Sequence, residues 1–249
     1  MDSALSAPSA SASSRAMKFI VAILLALVAC GTAPLRAADP NRENILITGG
    51  VSLRIWEKWK AAPHDGWWMN FVRATRIRIE QIRQEQGPDA NITVLCYRPS
   101  YVTRGRQDGE DHVSKIVSVR DAFNVRLVFF DNTTELISYI NSGQPRDRVK
   151  IGNLEYFGHS NKKCWMFDYS NYIDSASKCW LHENEFSQIR RDAFAKDAFV
   201  KSWGCHSGES MSKVFRSKVG VPMIGAVGKT QYMDEELPIL STAGGRWTR

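Results

Sequence analysis

Six short runs of aliphatic, β-branched and aromatic residues recur along the chain, each stopped by Gly, Pro or Asp, with stretches of helical periodicity between them. They span 44–48 (stopped by Gly49-Gly50), 92–97 (cut by Pro99), 125–130 (closed by Asp131-Asn132), 150–157 (ending at Gly158-His159), 198–203 (ending at Gly204-Cys205) and 221–227. Strands alternating with helices build right-handed βαβ units, and these make a mainly parallel sheet covered on both faces. The fold class expected is therefore α/β: a three-layer sandwich on a mainly parallel sheet of about six strands.

The helical stretches support that rhythm. Over 67–84 the residues Trp68, Phe71, Val72, Thr75, Ile79 and Ile82 recur three or four apart, with arginines between them, and Gly87-Pro88 ends the pattern. Further helices are expected over 113–123, after a cap at Thr133 or Thr134, over 183–194 and over 210–218. The polar stretch 101–111, with Gly105 and Gly109, reads as a surface loop, and the segment from 160 to about 180 as a loop containing Cys, Trp and Tyr. No internal repeat is visible, and Gly49-Gly50 lacks the further glycines of a dinucleotide or phosphate-binding loop.

At 249 residues the chain holds one full-sized domain, expected over 44–228, with a leader over 1–37 and a tail over 229–249 that the sequence leaves unexplained. Hydrophobic residues at 43% and charged residues at 24% exclude a largely disordered chain. The net charge of +7 is scattered among acids, so it makes no basic footprint and no nucleic-acid partner is expected. The leader looks like an export signal: Met17-Lys18, which reads as the true start, precedes an apolar run over 19–29 that is short for a membrane span. Two processing sites compete. Leu27-Val28-Ala29-Cys30 resembles a bacterial lipobox and would put a lipid anchor on Cys30, whereas Ala37 followed by Ala38 suits ordinary signal cleavage. Either places the protein in the periplasm, the cell envelope or outside the cell. In an oxidising compartment Cys164 and Cys179, which bracket a polar loop, are candidates for a disulfide, while Cys96 reads as core and Cys205 as a free thiol.

In open parallel sheets ligands bind beyond the carboxyl ends of the strands, where His159 and Cys205 both fall. A cysteine attacks as the thiolate and needs a neighbouring base, a task suited to histidine near neutral pH. Adjacent parallel strands would bring these two residues together across 46 positions. A helix starting after Cys205 would add a positive terminus favouring the thiolate.

The segments Leu154-Glu155-Tyr156-Phe157-Gly158-His159-Ser160 and Phe199-Val200-Lys201-Ser202-Trp203-Gly204-Cys205 resemble the two signatures of the caspase, gingipain and legumain clan of cysteine peptidases. The resemblance implies a caspase-like sandwich, Cys205 as nucleophile, His159 as base, a peptide or protein substrate and no cofactor. That clan places glycine directly after the histidine, where its amide helps hold the oxyanion; here Ser160 stands there and Gly158 precedes. The Ser160 and Cys205 backbone amides are the candidate oxyanion donors.

Three rival readings remain. Gly158-His159-Ser160 resembles the start of a serine-hydrolase elbow with Ser160 as nucleophile, but Lys162 stands where the second glycine belongs. Cys164, Cys179, His182, Cys205 and His206 fit no standard zinc spacing, so no metal site is expected. A catalytically silent binding module could use the tryptophans at 56, 59, 67, 68, 165 and 180 as a contact surface.

Overall fold

The computed structural model describes residues 38–54, 67–168, 178–232 and 235–248. Every described residue belongs to one compact unit, Ala37–Arg249. The expected leader with Met17 and Cys30, and the tryptophans at 56 and 59, lie outside the described residues. No described helix is long and apolar enough to cross a membrane.

The chain runs β1 (Arg42–Thr48), α1 (Asn70–Gln86), β2 (Ile92–Tyr97), α2 (Arg98–Asp108), α3 (His112–Phe123), β3 (Arg126–Phe130), α4 (Thr133–Ser142) and β4 (Lys150–Phe157). There follow the short strands β5 (His159–Ser160), β6 (Cys164–Met166) and β7 (Trp180–His182), then β8 (Phe194–Ser202) and α5 (Met211–Val219). The small strands β9 (Ala226–Val227), β10 (Thr230–Gln231), β11 (Ile239–Leu240) and β12 (Arg246–Trp247) complete the chain. The central sheet has the order β3-β2-β1-β4-β8, with all neighbours parallel.

Alternation along β1 shows why there are three layers. Ile45 and Ile47 enter a cluster with Leu136, Ile137 and Ile140 of α4 and Phe215 of α5, whereas Leu46 packs with Phe71, Ala74, Ile79 and Ile82 of α1. Helices therefore cover both faces, and β1 is buried on both. Two buried carboxylates of this interior are held by guanidinium groups. Arg146 meets Glu43 at 2.6 Å, while Arg78 and the Trp203 indole hold Glu155 at 2.6 and 2.8 Å.

The structure departs from the sequence reading in several places, the loop expected from 160 to about 180 among them, since it carries strand β6 with Trp165 buried. The stretch expected to be a surface loop is helix α2; Pro99 sits in its first turn, where a missing N–H costs nothing, and Gly109 closes it at φ +69°. Its buried side is unusually polar, carrying Ser100 and Arg104, so it lacks an apolar stripe. The expected helix over 183–194 is instead two 3-10 turns, Glu183–Gln188 and Arg191–Ala193, leading directly into β8. The cap of α4 is Asn132, which accepts from the Glu135 amide at 3.0 Å, and not a threonine. The sixth strand reduces to a single parallel bridge between Ile224 and Lys201, after which the chain turns away to pair β9 with β12. Pro222 removes one donor from that run, and Gly225 packs against the Gly208 backbone, which limits extension along β8. The sheet thus has five strands.

Candidate functional site

The sheet order reverses between β1 and β4, and such a switch point opens a crevice beyond the strand ends. Three chain exits meet at this rim: 49–54 after β1, Gly158-His159 after β4, and Trp203-Gly204-Cys205 after β8. β4 and β8 are direct parallel neighbours, paired as far as Tyr156 with Ser202. Past that pair, Trp203 N–H still donates to Tyr156 O at 2.9 Å. The Ser160 hydroxyl then donates to Cys205 O at 2.6 Å, tying the His159-Ser160 segment to the cysteine backbone. Gly204 is required by that contact, because a Cβ there would lie 2.2 Å from Ser160 Oγ.

His159 is half-buried. Its Nε2 lies 3.1 Å from the Ser52 hydroxyl, its ring is edge-on to Phe71 with centroids 4.9 Å apart, and its carbonyl accepts from the Tyr156 hydroxyl at 2.7 Å. Cys205 is half-buried as well. The Thr230 amide donates to its Sγ at 3.3 Å, and the thiol faces Thr230 O and Oγ1 at 3.6 Å. Two residues on, the Tyr232 hydroxyl accepts from Gly158 N–H at 2.8 Å, and its ring also meets Phe71, with centroids 4.8 Å apart. Thr230 and Tyr232 thus connect the cysteine side of the rim to the histidine side.

The loop after β1 is held by helix α2. The Tyr101 hydroxyl donates to Gly49 O at 2.8 Å, Val51 N–H donates to Ser100 Oγ at 3.2 Å, and Arg104 Nη1 donates to Ser52 O at 3.0 Å. Arg104 is itself paired with Asp108 at 2.8 Å, and Asp108 also receives His112 Nε2 at 2.7 Å and the Arg54 guanidinium. His112 stacks on Trp68 at 3.9 Å. Burial works against ionisation of Asp108, but the bonds from His112, Arg54 and Arg104 outweigh it and hold the carboxyl below its usual range.

The remaining sequence candidates separate from this cluster. The His206 imidazole turns to Glu209 at 2.5 Å, from a left-handed backbone at φ +59°, so it is occupied elsewhere. The Ser160 hydroxyl is buried and commits its proton to a carbonyl. The turn Asn161–Cys164 closes through Asn161 N–H to Cys164 O at 3.1 Å, so Ser160 opposite Trp165 is a non-hydrogen-bonded pair whose N–H points away from β6. Helix α5 begins only at Met211, and its first amides bind Lys162 O and Ser207 O. The expected helix terminus at Cys205 is therefore replaced by the Thr230 amide.

The expected Cys164–Cys179 bridge is corrected too. Neither is joined in a disulfide. Cys164 pairs with His182 and Cys179 lies opposite Phe167. Three residues of offset along the hairpin separate the Cα atoms by about 10 Å, beyond the ~7 Å a disulfide spans. Burial pushes the Cys179 thiol up to about 11 and raises Cys164 and Cys96 as well. Among the described residues no group of three or more His, Cys, Asp or Glu side chains is placed to hold a metal.

No protein-family model, curated protein or solved structure matches the chain. Sequence reasoning missed Ser52, Arg104, Thr230 and Tyr232. Ser52 was within reach, since it follows a strand end as His159 and Cys205 do. Thr230 and Tyr232 carried no local signal, for their place at the rim comes from the return of the tail.

Proposed function

We propose that this chain is an exported cysteine peptidase of caspase-like architecture, with Cys205 as nucleophile and His159 as its base. One observation supports it most: β4 and β8 are adjacent and parallel, and their carboxyl ends deliver His159 and Cys205 to the same rim, tied by the Ser160–Cys205 bond at 2.6 Å. The thiol passes its proton to the imidazole and the thiolate adds to the scissile carbonyl. The outward Ser160 N–H and the Cys205 N–H are the donors assigned to the oxyanion. The imidazole then protonates the leaving amine, and water releases the acyl group. Cleavage of the leader before Cys30 or Ala38 delivers the protein to the envelope or beyond, with a lipid anchor in the first case.

The test is turnover of a diverse peptide mixture by the mature protein. Cys205→Ala and His159→Ala each abolish cleavage, and the double variant is little worse than either because the pair acts as a unit. Full activity in either single variant refutes the reading. A second reading, a silent caspase-like binding module, draws on the Thr230 segment lying against the thiol at 3.3–3.6 Å. It requires that no peptide be cleaved while a partner binds at the same rim.

A further inference from the structure

We propose that Lys201 is a covalent binding site for an aldehyde, an aromatic one by preference, which it takes up as an imine between the indoles of Trp203 and Trp247. The inference is independent of the Cys205–His159 reading. Lys201 lies near the end of β8, and Trp203, two residues on, projects to the same face, the one α1 covers. Lys201 Nζ stands 3.3 Å from the centre of the Trp203 ring and 4.0 Å from that of Trp247 in β12. The two indoles meet at 77° with centroids 5.4 Å apart, and so form two walls of a niche. The Trp203 wall is fixed, because its Nε1–H donates to Glu155 Oε2 at 2.8 Å and Phe157 stacks along it.

The niche lacks an acceptor for the amine. Glu155 is the register partner of Lys201 on β4, but its oxygens are taken by Trp203, by Arg78 Nε at 2.6 Å and by Asn153 Nδ2 at 2.9 Å. Among the described residues no oxygen lies within hydrogen-bond or ion-pair distance of Nζ. An indole face attracts the charge but does not replace the hydrogen bonds that water gives the three N–H groups. Burial lowers the ammonium to about 8, with Glu155 opposing the shift and Arg78 adding to it. At pH 7 about a tenth of the amine is then neutral, against about one part in a few thousand for an ordinary lysine. The side chain is only half-buried, so a small reagent reaches it.

The neutral amine adds its lone pair to the aldehyde carbon, and a C–N bond forms as the C=O π bond breaks. Nitrogen passes a proton to that oxygen, giving the carbinolamine. A second proton, taken from solvent, lets the oxygen leave as water, and a protonated C=N remains. No oxidant or reductant is consumed. The iminium keeps the positive charge that the indole faces and Glu155 favour, yet it carries one N–H in place of three. A flat aryl group on its carbon can lie along the indole walls as an offset stack.

The test uses the full chain at pH 7, with benzaldehyde as probe, cyanoborohydride to trap the imine, and peptide mapping to follow the benzyl adduct at each lysine. Lys201 should react at least about tenfold faster than the exposed Lys163 and Lys213, as its larger neutral fraction implies. Its benzaldehyde-to-acetaldehyde rate ratio should exceed that of Lys213 several-fold, and Trp247→Leu should bring that ratio down toward the Lys213 value. Lys201 reacting no faster than Lys213 overturns the site. Fast reaction with the same ratio at both lysines overturns the aromatic niche as its binding element. Both results are read on the wild type, so they decide the matter even where Trp247→Leu does not fold.

Discussion

Replacing Arg104 by methionine tests whether helix α2 holds the site. The side chain is 3% exposed and carries a full charge, and its partners are Asp108 at 2.8 and 3.0 Å and Ser52 O at 3.0 Å. Losing a charge-assisted bond costs about 1.5–3 kcal/mol, and a buried carbonyl left without its donor costs about 1–3 kcal/mol more. Against this, methionine keeps the apolar stem, and Asp108 retains His112 and Arg54. A net loss of about 3 kcal/mol is expected. At a slope of about 2 kcal/mol/M the urea midpoint falls by about 1.5 M, and Tm falls by about 6–12 °C. Arg106→Met, on the exposed side of the same helix, should change stability by no more than about 0.5 kcal/mol. Equal midpoints for the two variants would refute the argument that α2 supports the loop through Arg104.

Gly204→Ala forces a Cβ to within 2.2 Å of Ser160 Oγ, so we expect about 1–3 kcal/mol of destabilisation by urea titration and slower alkylation of Cys205. Asp108 is held below the usual carboxylate range, so its contribution is present above that range and is lost as pH falls through the lowered value. Asp108→Asn should therefore be less stable than the wild type near neutrality, with a gap that narrows on acidification; a gap constant with pH contradicts the pairing. Ser160→Ala removes the bond to Cys205 O but no proton-transfer group, so turnover should drop only several-fold; complete loss would favour Ser160 as nucleophile. Non-reducing peptide mapping should recover Cys164 and Cys179 as separate thiols, and a peptide linking them would contradict the hairpin register.

Much of the scaffold is legible in the sequence because burial on two faces leaves a local mark. β2 is nearly continuous in apolar residues, β1 carries Ile45-Leu46-Ile47, β4 keeps Ile151, Leu154, Tyr156 and Phe157 among its polar residues, and the stripe of α1 survives its many arginines. α2 is different. Besides Tyr101 it buries a guanidinium, a serine and a glycine, whose burial depends on Asp108, Ser52 O and the Glu110 backbone, and none of these partners can be inferred from periodicity. The end of β8 was placed correctly, but its start was not, because β8 extends back to Phe194 across an irregular register where Ile151 pairs with Phe194 and Asn153 with Phe199. At the site, the strand-end rule puts His159 and Cys205 at the ends of β4 and β8, which are neighbours in the sheet. It says nothing of Thr230 and Tyr232, which reach the rim only because residues 228–232 fold back from beyond the sheet.

The central claim is that Cys205 is a nucleophile served by His159, and covalent labelling by a peptide bearing an acyloxymethyl ketone tests it most directly. Mass spectrometry of the mature wild-type protein should find the label on Cys205 and not on Cys164 or Cys179, whose thiols burial holds in the protonated form. His159→Ala should slow that labelling about a hundredfold or more, the range a general base supplies. Labelling of Cys205 at the same rate with and without the imidazole, or reaction at the other cysteines in its place, would contradict the account.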